Sequence, residues 1–319
     1  MAKKRLSVIC PVHNEEACVE IFHRRVVAAL APLGDRYDWE LVFMNNRSTD
    51  ATAELVRGIR DRDPNVHLLT LSRNCGYQAS IATGLRYVDG DATVIIDVDC
   101  EDPPEMIPRF VEAWERGSDV VYGERKNRPE PRLLIAARRT FYRLMRFVAD
   151  SDITLDMAEF SLFDRAVREA LLTPRDTFPF LRSELAHVGF QRTAIPYDRQ
   201  PRAAGVTHYN VWSMTRFAVA GILSSSTLPL RMPLYTLPAV LLVNVGTWIA
   251  AVFGGWEGAV PTLLAVDLTW LCTAVSFLAL YIARDYRNSI ARPVGIIDWA
   301  RSAADRRVPH AVPPGAPLR

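Results

Sequence analysis

The first 210 residues alternate between short apolar runs and segments of helical periodicity, which restricts the folds open to the chain. Five runs have the length and composition of strands: LSVICPV from Leu6, WELVFMN from Trp39, VHLLTLS from Val66, ATVIIDV from Ala92 and DVVYG from Asp119. Between them lie segments such as EACVEIFHRRVVAAL, in which apolar residues recur every three or four positions. This alternation predicts an α/β fold with a mostly parallel sheet and helices on both faces.

Polar residues follow the predicted strands, in the stretches PVHNE, NNRSTD, SRN, DVDCED and YGERKNR. Ligands of open α/β sheets bind at the carboxyl ends of the strands, so these residues are predicted to gather along one functional edge. The chain contains no GxGxxG and no GxxxxGK[ST] motif, which excludes a standard dinucleotide site and a P-loop. A nucleotide bound at this edge would be held by side chains and a metal ion.

The stretch DVDCEDPPE, directly behind the fourth apolar run, is the most acidic of these strand ends. Side chains alternate along a strand, so Asp97 and Asp99 are expected on one side, with Glu101 joining them if the chain stays extended. Converging carboxylates suit Mg²⁺ or Mn²⁺. A charged turn before a helix is the alternative, and Asp102, ahead of two prolines, is predicted to be a helix N-cap.

Composition excludes several classes of protein. The formal net charge of +2 provides no global field for nucleic acid, so no nucleic-acid partner is expected. The five cysteines form no CxxC pair and no metal-binding spacing. The N-terminus MAKKRLSVICPV begins with basic residues, but its apolar run is short and is interrupted by Pro11. We therefore expect a first strand there rather than a signal peptide.

Two long apolar segments follow near the C-terminus. Leu234 to Gly254 has no charged residue, and Ala259 to Ala283 has only Asp267. About 20 apolar residues span a membrane, so both segments qualify, and the link GWEG permits only a tight hairpin. A pair of buried core helices is the alternative. Arginines flank the hairpin on both sides, which predicts both ends in the cytoplasm: Arg216, Arg231, Arg284, Arg287 and Arg292.

Two further segments combine basic and apolar residues. The segment LLIAARRTFYRLMRF, residues 133–147, is predicted to be an amphipathic helix at a membrane surface or anionic ligand, or an ordinary half-buried helix. The segment 210–233 leads into the first apolar run and is expected to lie along the membrane interface. Asp267 would face the partner helix or an oligomer contact, so a homo-oligomer formed through the hairpin is an open alternative.

These stretches resemble a known family, in order and at similar spacing over residues 5 to 290. The chain resembles family-2 glycosyltransferases of the type-A fold, and more narrowly the polyprenyl-phosphate glycosyltransferases that include dolichol-phosphate mannose synthase and its bacterial relatives. The resemblance rests on PVHNEE, STD, SRNCGYQASIATGL, DVDCEDPPE, YGERKNR, EFSLFDR, VGF and PYDRQPRAAGVTHYN. The two-helix C-terminal hairpin is similar to that of the bacterial relatives.

The resemblance implies a role for each matching residue. The base and ribose of the nucleotide would be held by Pro11, His13, Glu15 and Asn46. The divalent ion and the diphosphate would be bound by Asp97, Asp99 and Glu101. Phosphates would be held by Arg125 and Arg202, and His208 stands where the family usually has lysine. Taken alone, the two arginines could be surface charges and His208 an ordinary loop histidine.

The implied activity is transfer of a sugar from a nucleotide diphosphate sugar to a polyprenyl phosphate, with Mg²⁺ or Mn²⁺ and with inversion at the anomeric carbon. The chain would be an integral protein of the cytoplasmic membrane with both termini cytoplasmic. Its parts would be a catalytic domain (1–209), an interfacial segment (210–233), a hairpin (234–283) and a partly disordered tail (284–319). The alternatives are a hydroxyl acceptor, in polysaccharide or specialised-metabolite biosynthesis, and a non-catalytic membrane scaffold.

Four site residues depart from the usual family pattern. Asn46 replaces an acid, and Arg47 replaces the glycine of the DDGS-like turn. Glu101 replaces glutamine and adds a charge to the predicted metal site, while His208 replaces a fixed positive charge with a group that titrates near neutrality. These departures leave the implied reaction class intact and leave the donor and the acceptor open.

Overall fold

A computed structural model of the protein describes residues 3–126, 157–173, 180–204, 226–290 and 292–304. The predicted amphipathic helix 133–147, His208 and most of the interfacial segment lie outside the described residues. The chain divides into two compact units. The first contains the described residues up to 204 together with 293–304, and the second contains the described residues from 226 to 292.

The first unit is built on a seven-stranded sheet with helices between the strands. The strands are β1 Lys4–Val12, β2 Tyr37–Asn45, β3 Val66–Thr70, β4 Ala92–Ile95, β5 Val120–Arg125, β6 Met157–Asp164 and β7 Arg192–Tyr197. The helices are α1 Glu16–Leu30, α2 Thr52–Arg62, α3 Tyr77–Gly84, α4 Ile107–Glu115, α5 Arg165–Leu172 and α6 Leu181–His187. Short 3₁₀ turns occupy Ala31–Leu33 and Pro104–Met106.

The sheet has the order β3-β2-β1-β4-β6-β5-β7, and only β6 runs antiparallel to its neighbours. The five strands expected from the apolar runs are all present, and the mostly parallel sheet is confirmed. The sequence pattern did not indicate β6 and β7. Pro196 lies in β7, and a proline usually argues against a strand in the middle of a sheet. β7 is at the edge of the sheet, where proline is tolerated.

Helices cover both faces of this sheet, which explains the nearly continuous apolar runs of its strands. On one face Phe22 of α1, Ile59 of α2 and Phe110 of α4 belong to a single buried cluster. On the other face Ile81 of α3 and Leu185 of α6 belong to a second buried cluster. Both faces of the strands are therefore withdrawn from water, so function is left to the strand ends.

The second unit contains two long apolar helices, α7 Leu228–Gly254 and α8 Ala259–Ser289. Both are long and apolar enough, by length and composition, to cross a membrane. Gly255 closes α7 in the left-handed conformation, with φ of 64°, and so begins the tight link that the sequence predicted. The partner of Asp267 lies on the other helix, because Asn244 donates a hydrogen bond to its carboxylate at 2.7 Å.

Candidate active site

The strand ends of β1, β2 and β4, with the loop after β7, bring most of the predicted site residues to one edge of the sheet. Pro11 is buried within β1, beyond the last residue paired with β4, so its missing N–H breaks no bond to that strand. His13 and Glu15 follow β1, and Asn46 follows β2 directly. His208 lies outside the described residues.

The acidic stretch after β4 does not continue as a strand. β4 ends at Ile95, and the chain turns through 98–100, with Cys100 in the left-handed region at φ of 59°. The chain does not stay extended as far as Glu101, so the condition for placing Glu101 beside Asp97 and Asp99 is not met. The Glu101 carboxylate pairs with Arg199, whereas Asp99 faces Arg202, with 3.5 Å between carboxylate oxygen and guanidinium nitrogen.

Asp97 is held from the side of α3. The hydroxyl of Tyr77 donates a hydrogen bond to Asp97 Oδ1 at 2.6 Å. Burial, followed by the negative charges of Asp99 and Asp102, raises the pKa of Asp97 to about 7. Burial and neighbouring negative charges disfavour the ionised form of this carboxyl group. A divalent cation bound there would stabilise that ionised form.

The fit of a metal ion rests on Asp97 and Asp99. No group of three His, Cys, Asp or Glu side chains within the described ranges is arranged to hold a metal ion, and Glu101 is turned towards its arginine. Magnesium-type ions are commonly bound by one or two carboxylates, with substrate phosphates completing the shell. The two aspartates match this smaller donor set, and the substrate would supply the remaining oxygens.

Arg202 joins two acids that come from different parts of the chain. Its Nη2 donates to both carboxylate oxygens of Glu15, while Nη1 faces Asp99. The side chain is 17% exposed, so these pairs are largely shielded from water. Glu15 was expected to hold the nucleotide, and here it fixes the arginine expected to hold phosphate. The guanidinium is thereby held beside Asp99, one of the two proposed metal ligands.

The loop that carries Arg202 is fastened to the acidic turn through its backbone. The amide of Ala203 donates to Asp99 O, and that of Gln200 donates to Glu101 O, both at 2.9 Å. Arg202 Nε also donates to Ala204 O at 2.8 Å within the loop. The loop after β7 and the turn after β4 therefore form one hydrogen-bonded assembly.

Asp102 and Arg125 form a buried ion pair, which corrects the prediction for Asp102. The short 3₁₀ turn that follows has Pro103 at its N-cap position and no side-chain cap. Asp102 is 1% exposed and accepts hydrogen bonds from Arg125, at 2.8 Å for the shortest, and from the hydroxyl of Tyr197. The proline-rich context suggested a cap, but burial requires this carboxylate to find a cation.

A network of amides surrounds Asn46 at the end of β2. Asn46 Nδ2 donates to Asn74 Oδ1 at 3.0 Å, and Asn46 Oδ1 accepts from the amide of Cys75 at 2.8 Å. Asn74 Nδ2 lies 3.2 Å from His13 Nε2. The neutral Asn46 thus acts both as donor and as acceptor, and a carboxylate could only accept. This network links the loops after β1, β2 and β3.

Glu159 on β6 is a further acid of the site to which the sequence pattern assigned no role. It is 7% exposed, Gln78 Nε2 donates to its Oε1 at 3.1 Å, and Arg182 Nε lies 2.9 Å from the same oxygen. Its Oε2 is buried and has no hydrogen-bond partner among the described residues. The stretch EFSLFDR contained this acid, but without β6 its position beside Asp97 could not be inferred.

Comparisons with known proteins agree with this architecture. Residues 7–172 match the model of glycosyl transferase family 2. A bactoprenol glucosyl transferase of Shigella phage SfX is 33% identical over 301 residues, which are 91% of this chain and 97% of that protein. Glycosyltransferase YkcC of Bacillus subtilis (strain 168) is 30% identical over 315 residues, 95% of this chain and 96% of that protein.

Solved structures show a weaker likeness. Glucosyl-3-phosphoglycerate synthase from Mycobacterium tuberculosis, in complex with Mn²⁺, UDP and glucosyl-3-phosphoglycerate, has a TM-score of 0.45 and 20% identity, covering 69% of this chain and 79% of that one. The family match spans residues 7–172 of 319, and the first two relatives align with nearly the whole chain. The resemblance found in the sequence is confirmed, and the protein is a glycosyltransferase that belongs to glycosyl transferase family 2.

Proposed function

We propose that the chain transfers a sugar from a nucleotide diphosphate sugar to a polyprenyl phosphate, with inversion at the anomeric carbon. The observation that carries this proposal is the strand-end cluster in which Arg202 lies 3.5 Å from Asp99, while the charge of Asp99 helps to raise the pKa of its neighbour Asp97. Such a cluster offers one cation and two potential metal ligands to a pair of anionic substrates. The relatives named bactoprenol glucosyl transferase support a polyprenyl acceptor.

On the donor side, Asp97 and Asp99 would hold Mg²⁺ or Mn²⁺, and the ion would neutralise the departing nucleoside diphosphate. His13 and Asn46 lie in one hydrogen-bonded network at the neighbouring strand ends, where the base and ribose would bind. Arg202 is fixed in advance by Glu15, so little reorganisation is needed when negative charge develops.

On the acceptor side, a phosphate ester is already an anionic nucleophile at neutral pH. Attack of its oxygen on the anomeric carbon, opposite to the departing diphosphate, would invert the configuration. A strong general base is therefore not required, and the main task of the protein is to bring two anions together. Arg202 and the metal ion would reduce their repulsion.

The apolar helices α7 and α8 would anchor the enzyme in the cytoplasmic membrane, where the lipid acceptor resides. Arg231 lies near the start of α7, and Arg284 and Arg287 lie near the end of α8. These arginines support placement of the start of α7 and the end of α8 on the cytoplasmic side. An oligomer formed through the hairpin remains part of this proposal.

A second candidate keeps the donor and replaces the acceptor by a sugar hydroxyl. The observation that favours it is Glu159, whose buried Oε2 has no partner among the described residues. A hydroxyl acceptor needs a general base, and a desolvated carboxylate close to the reacting groups can serve as one.

Membranes that contain the full chain provide the test. They are incubated with radiolabelled UDP- and GDP-sugars, Mn²⁺ or Mg²⁺ and a polyprenyl phosphate, and the lipids are extracted. We expect label in the lipid phase, with inverted anomeric configuration, and its loss in Asp99→Asn. The control Glu112→Gln should keep the label, because among the described residues this exposed carboxylate of α4 pairs only with Arg116, just past the end of that helix. Label in a water-soluble glycan would favour the second candidate. No transfer with any donor would contradict both.

A further inference from the structure

A segment that follows the second apolar helix in the chain is packed against the sheet of the first unit. Residues 295–304, named here the C-terminal strap, lie along β3, the edge strand on the nucleotide side of the sheet. Ile297 is buried in the same apolar cluster as β3, at 6% exposure. A Cβ on Gly295 would collide with Thr83, so the strap approaches α3 too closely there for a side chain.

The strap satisfies the outward-facing backbone groups of β3. Leu68 and Ala303 exchange two backbone hydrogen bonds of 2.8 Å. At Thr70 the amide donates to Ser302 Oγ at 2.9 Å, and the carbonyl accepts from the amide of Asp298 at 2.8 Å. The amide of Ser72 donates to Ile296 O at 2.8 Å. The position of the strap is therefore specified by paired backbone groups, as in an added edge strand.

The strap places Asp298 next to Arg47, in the turn after β2. Arg47 is in the left-handed region at φ of 62°, a conformation that is unfavourable for any residue with a side chain. Its Nη1 lies 3.5 Å from Asp298 Oδ2. Asp298 also accepts a hydrogen bond from Arg301 Nη1 at 2.6 Å, so its carboxylate is fixed by a neighbour within the strap.

Arg47 lies in the turn after β2, directly after Asn46, one of the residues proposed to bind the nucleotide. Asn46, directly before it, holds the amide of Cys75 and the side chain of Asn74. Ser48, directly after it, donates its amide to Asn45 Oδ1 at 2.9 Å and accepts from the amide of Asn14 at 3.1 Å. A change in the conformation of Arg47 would therefore move Asn46 and loosen the contact with the loop after β1.

We propose that Asp298 is a positioning residue for the nucleotide part of the donor site, and that it acts through Arg47. It holds Arg47 in the left-handed conformation and so maintains the 46–48 turn, although it need not touch the nucleotide. This inference rests on the proposed function, because it assumes that a nucleotide binds at the turn. The Arg47 side chain is 38% exposed, so solvent screens the pair and the effect will be moderate.

The test measures the dissociation constants of UDP and of GDP, each with Mn²⁺, on the full chain in detergent by titration calorimetry. Of UDP and GDP, the nucleotide that the wild type prefers is the one to follow. We expect Asp298→Asn to raise its dissociation constant about fivefold, within the range of a partly exposed ion pair. Glu112→Gln, which removes one carboxylate from an exposed pair on α4, should leave the constant unchanged.

The decisive comparison repeats Asp298→Asn in an Arg47→Gly background. Glycine adopts the left-handed conformation without help, so the second substitution should have no further effect on nucleotide binding. Hydrogen exchange should show faster exchange at the amides of residues 46–48 in Asp298→Asn alone. A purely structural strap would lower the thermal midpoint equally in both backgrounds.

Two outcomes would overturn the inference, and they are distinguishable. If the wild type binds nucleotide and Asp298→Asn binds it equally well, Asp298 does not act through Arg47. The same conclusion follows if Asp298→Asn weakens nucleotide binding as much in the Arg47→Gly background as in the wild type. If the wild type binds neither UDP nor GDP, the nucleotide site of the proposed function fails, and the positioning role fails with it.

Discussion

Arg125 donates to both carboxylate oxygens of Asp102, and the aspartate is 1% exposed. The pair connects the end of β5 with the turn after β4, and the hydroxyl of Tyr197 on β7 joins it. A charge in such a place requires its partner, because the burial of a single charge is strongly unfavourable. The pair therefore stabilises the acidic turn after β4 by linking it to the end of β5.

Arg125→Ala should lower the free energy of unfolding by about 3 kcal/mol, because it leaves the Asp102 carboxylate buried and unpaired. Arg36→Ala, which breaks an exposed pair with Glu115, is the control and should leave the free energy of unfolding nearly unchanged. The thermal midpoint of the full chain in detergent measures both. A loss of activity in Arg125→Ala at unchanged stability would instead support the direct phosphate contact that the family resemblance implied.

Arg202→Ala should reduce kcat/KM by roughly 10²- to 10³-fold, the effect typical of removing one preorganised charge-stabilising group. Arg202→Lys should recover part of the activity, since lysine keeps the charge but loses the fork that reaches both Glu15 and Asp99. Arg116→Ala, an exposed arginine of the first unit, should behave as the wild type. Transfer of labelled sugar into lipid provides the measurement, and wild-type rates in Arg202→Ala would exclude this role.

Asn46→Asp should weaken nucleotide binding by about tenfold, the order expected when a buried polar contact is lost. The new carboxylate cannot donate to Asn74 Oδ1, and turning the Asn74 amide over would break its bond from the amide of Gly76. Dissociation constants for UDP, GDP and CDP test this, with the exposed Asn65→Asp as control. Tighter binding in Asn46→Asp would show that the network rearranges freely.

Glu40→Gln should stabilise the first unit more at pH 8 than at pH 5. Burial raises the pKa of Glu40 above its ordinary value of 4.5, although Ser7 donates to its carboxylate at 2.5 Å. Between those two pKa values the folded state binds more protons than the unfolded state, so stability falls as pH rises through this range. The uncharged glutamine removes that loss. The thermal midpoints of the wild type and the variant are measured at both pH values, with the exposed Glu54→Gln as control. An equal gain in midpoint at pH 5 and at pH 8 would contradict the prediction.

Asn244→Leu should destabilise the helical hairpin by about 1 kcal/mol, the usual size of a polar contact between apolar helices. Asn244 provides the hydrogen bond to Asp267, and its loss leaves the carboxylate without this donor. Adding Asp267→Leu should restore stability. Unfolding of the full chain in SDS measures the change, with Ser276→Ala as control because that hydroxyl bonds only within α8. An unchanged transition in Asn244→Leu would exclude a stabilising role for the pair.

The parts of the fold that sequence predicted are those with a strong local signal. β1 to β5 are buried on both faces, so their apolar runs stand out, and the polar ends of these strands follow directly in the chain. β6 and β7 escaped notice because MAEFSLFD contains two acids and RTAIPY contains a proline. Without β6, the position of Glu159 beside Asp97 could not be inferred.

The sequence by itself determined the class of fold, the family, the two apolar helices and the edge of the sheet at which the site lies. Periodicity and strand-end chemistry are local properties, so they are legible in a linear chain. Only the tertiary structure decided that Asp102 belongs to Arg125 rather than to a helix cap, and that Glu101 turns to Arg199. It also decided that Asp298 meets Arg47, 251 residues away. Such pairings depend on which charges burial brings together, and no local pattern encodes them.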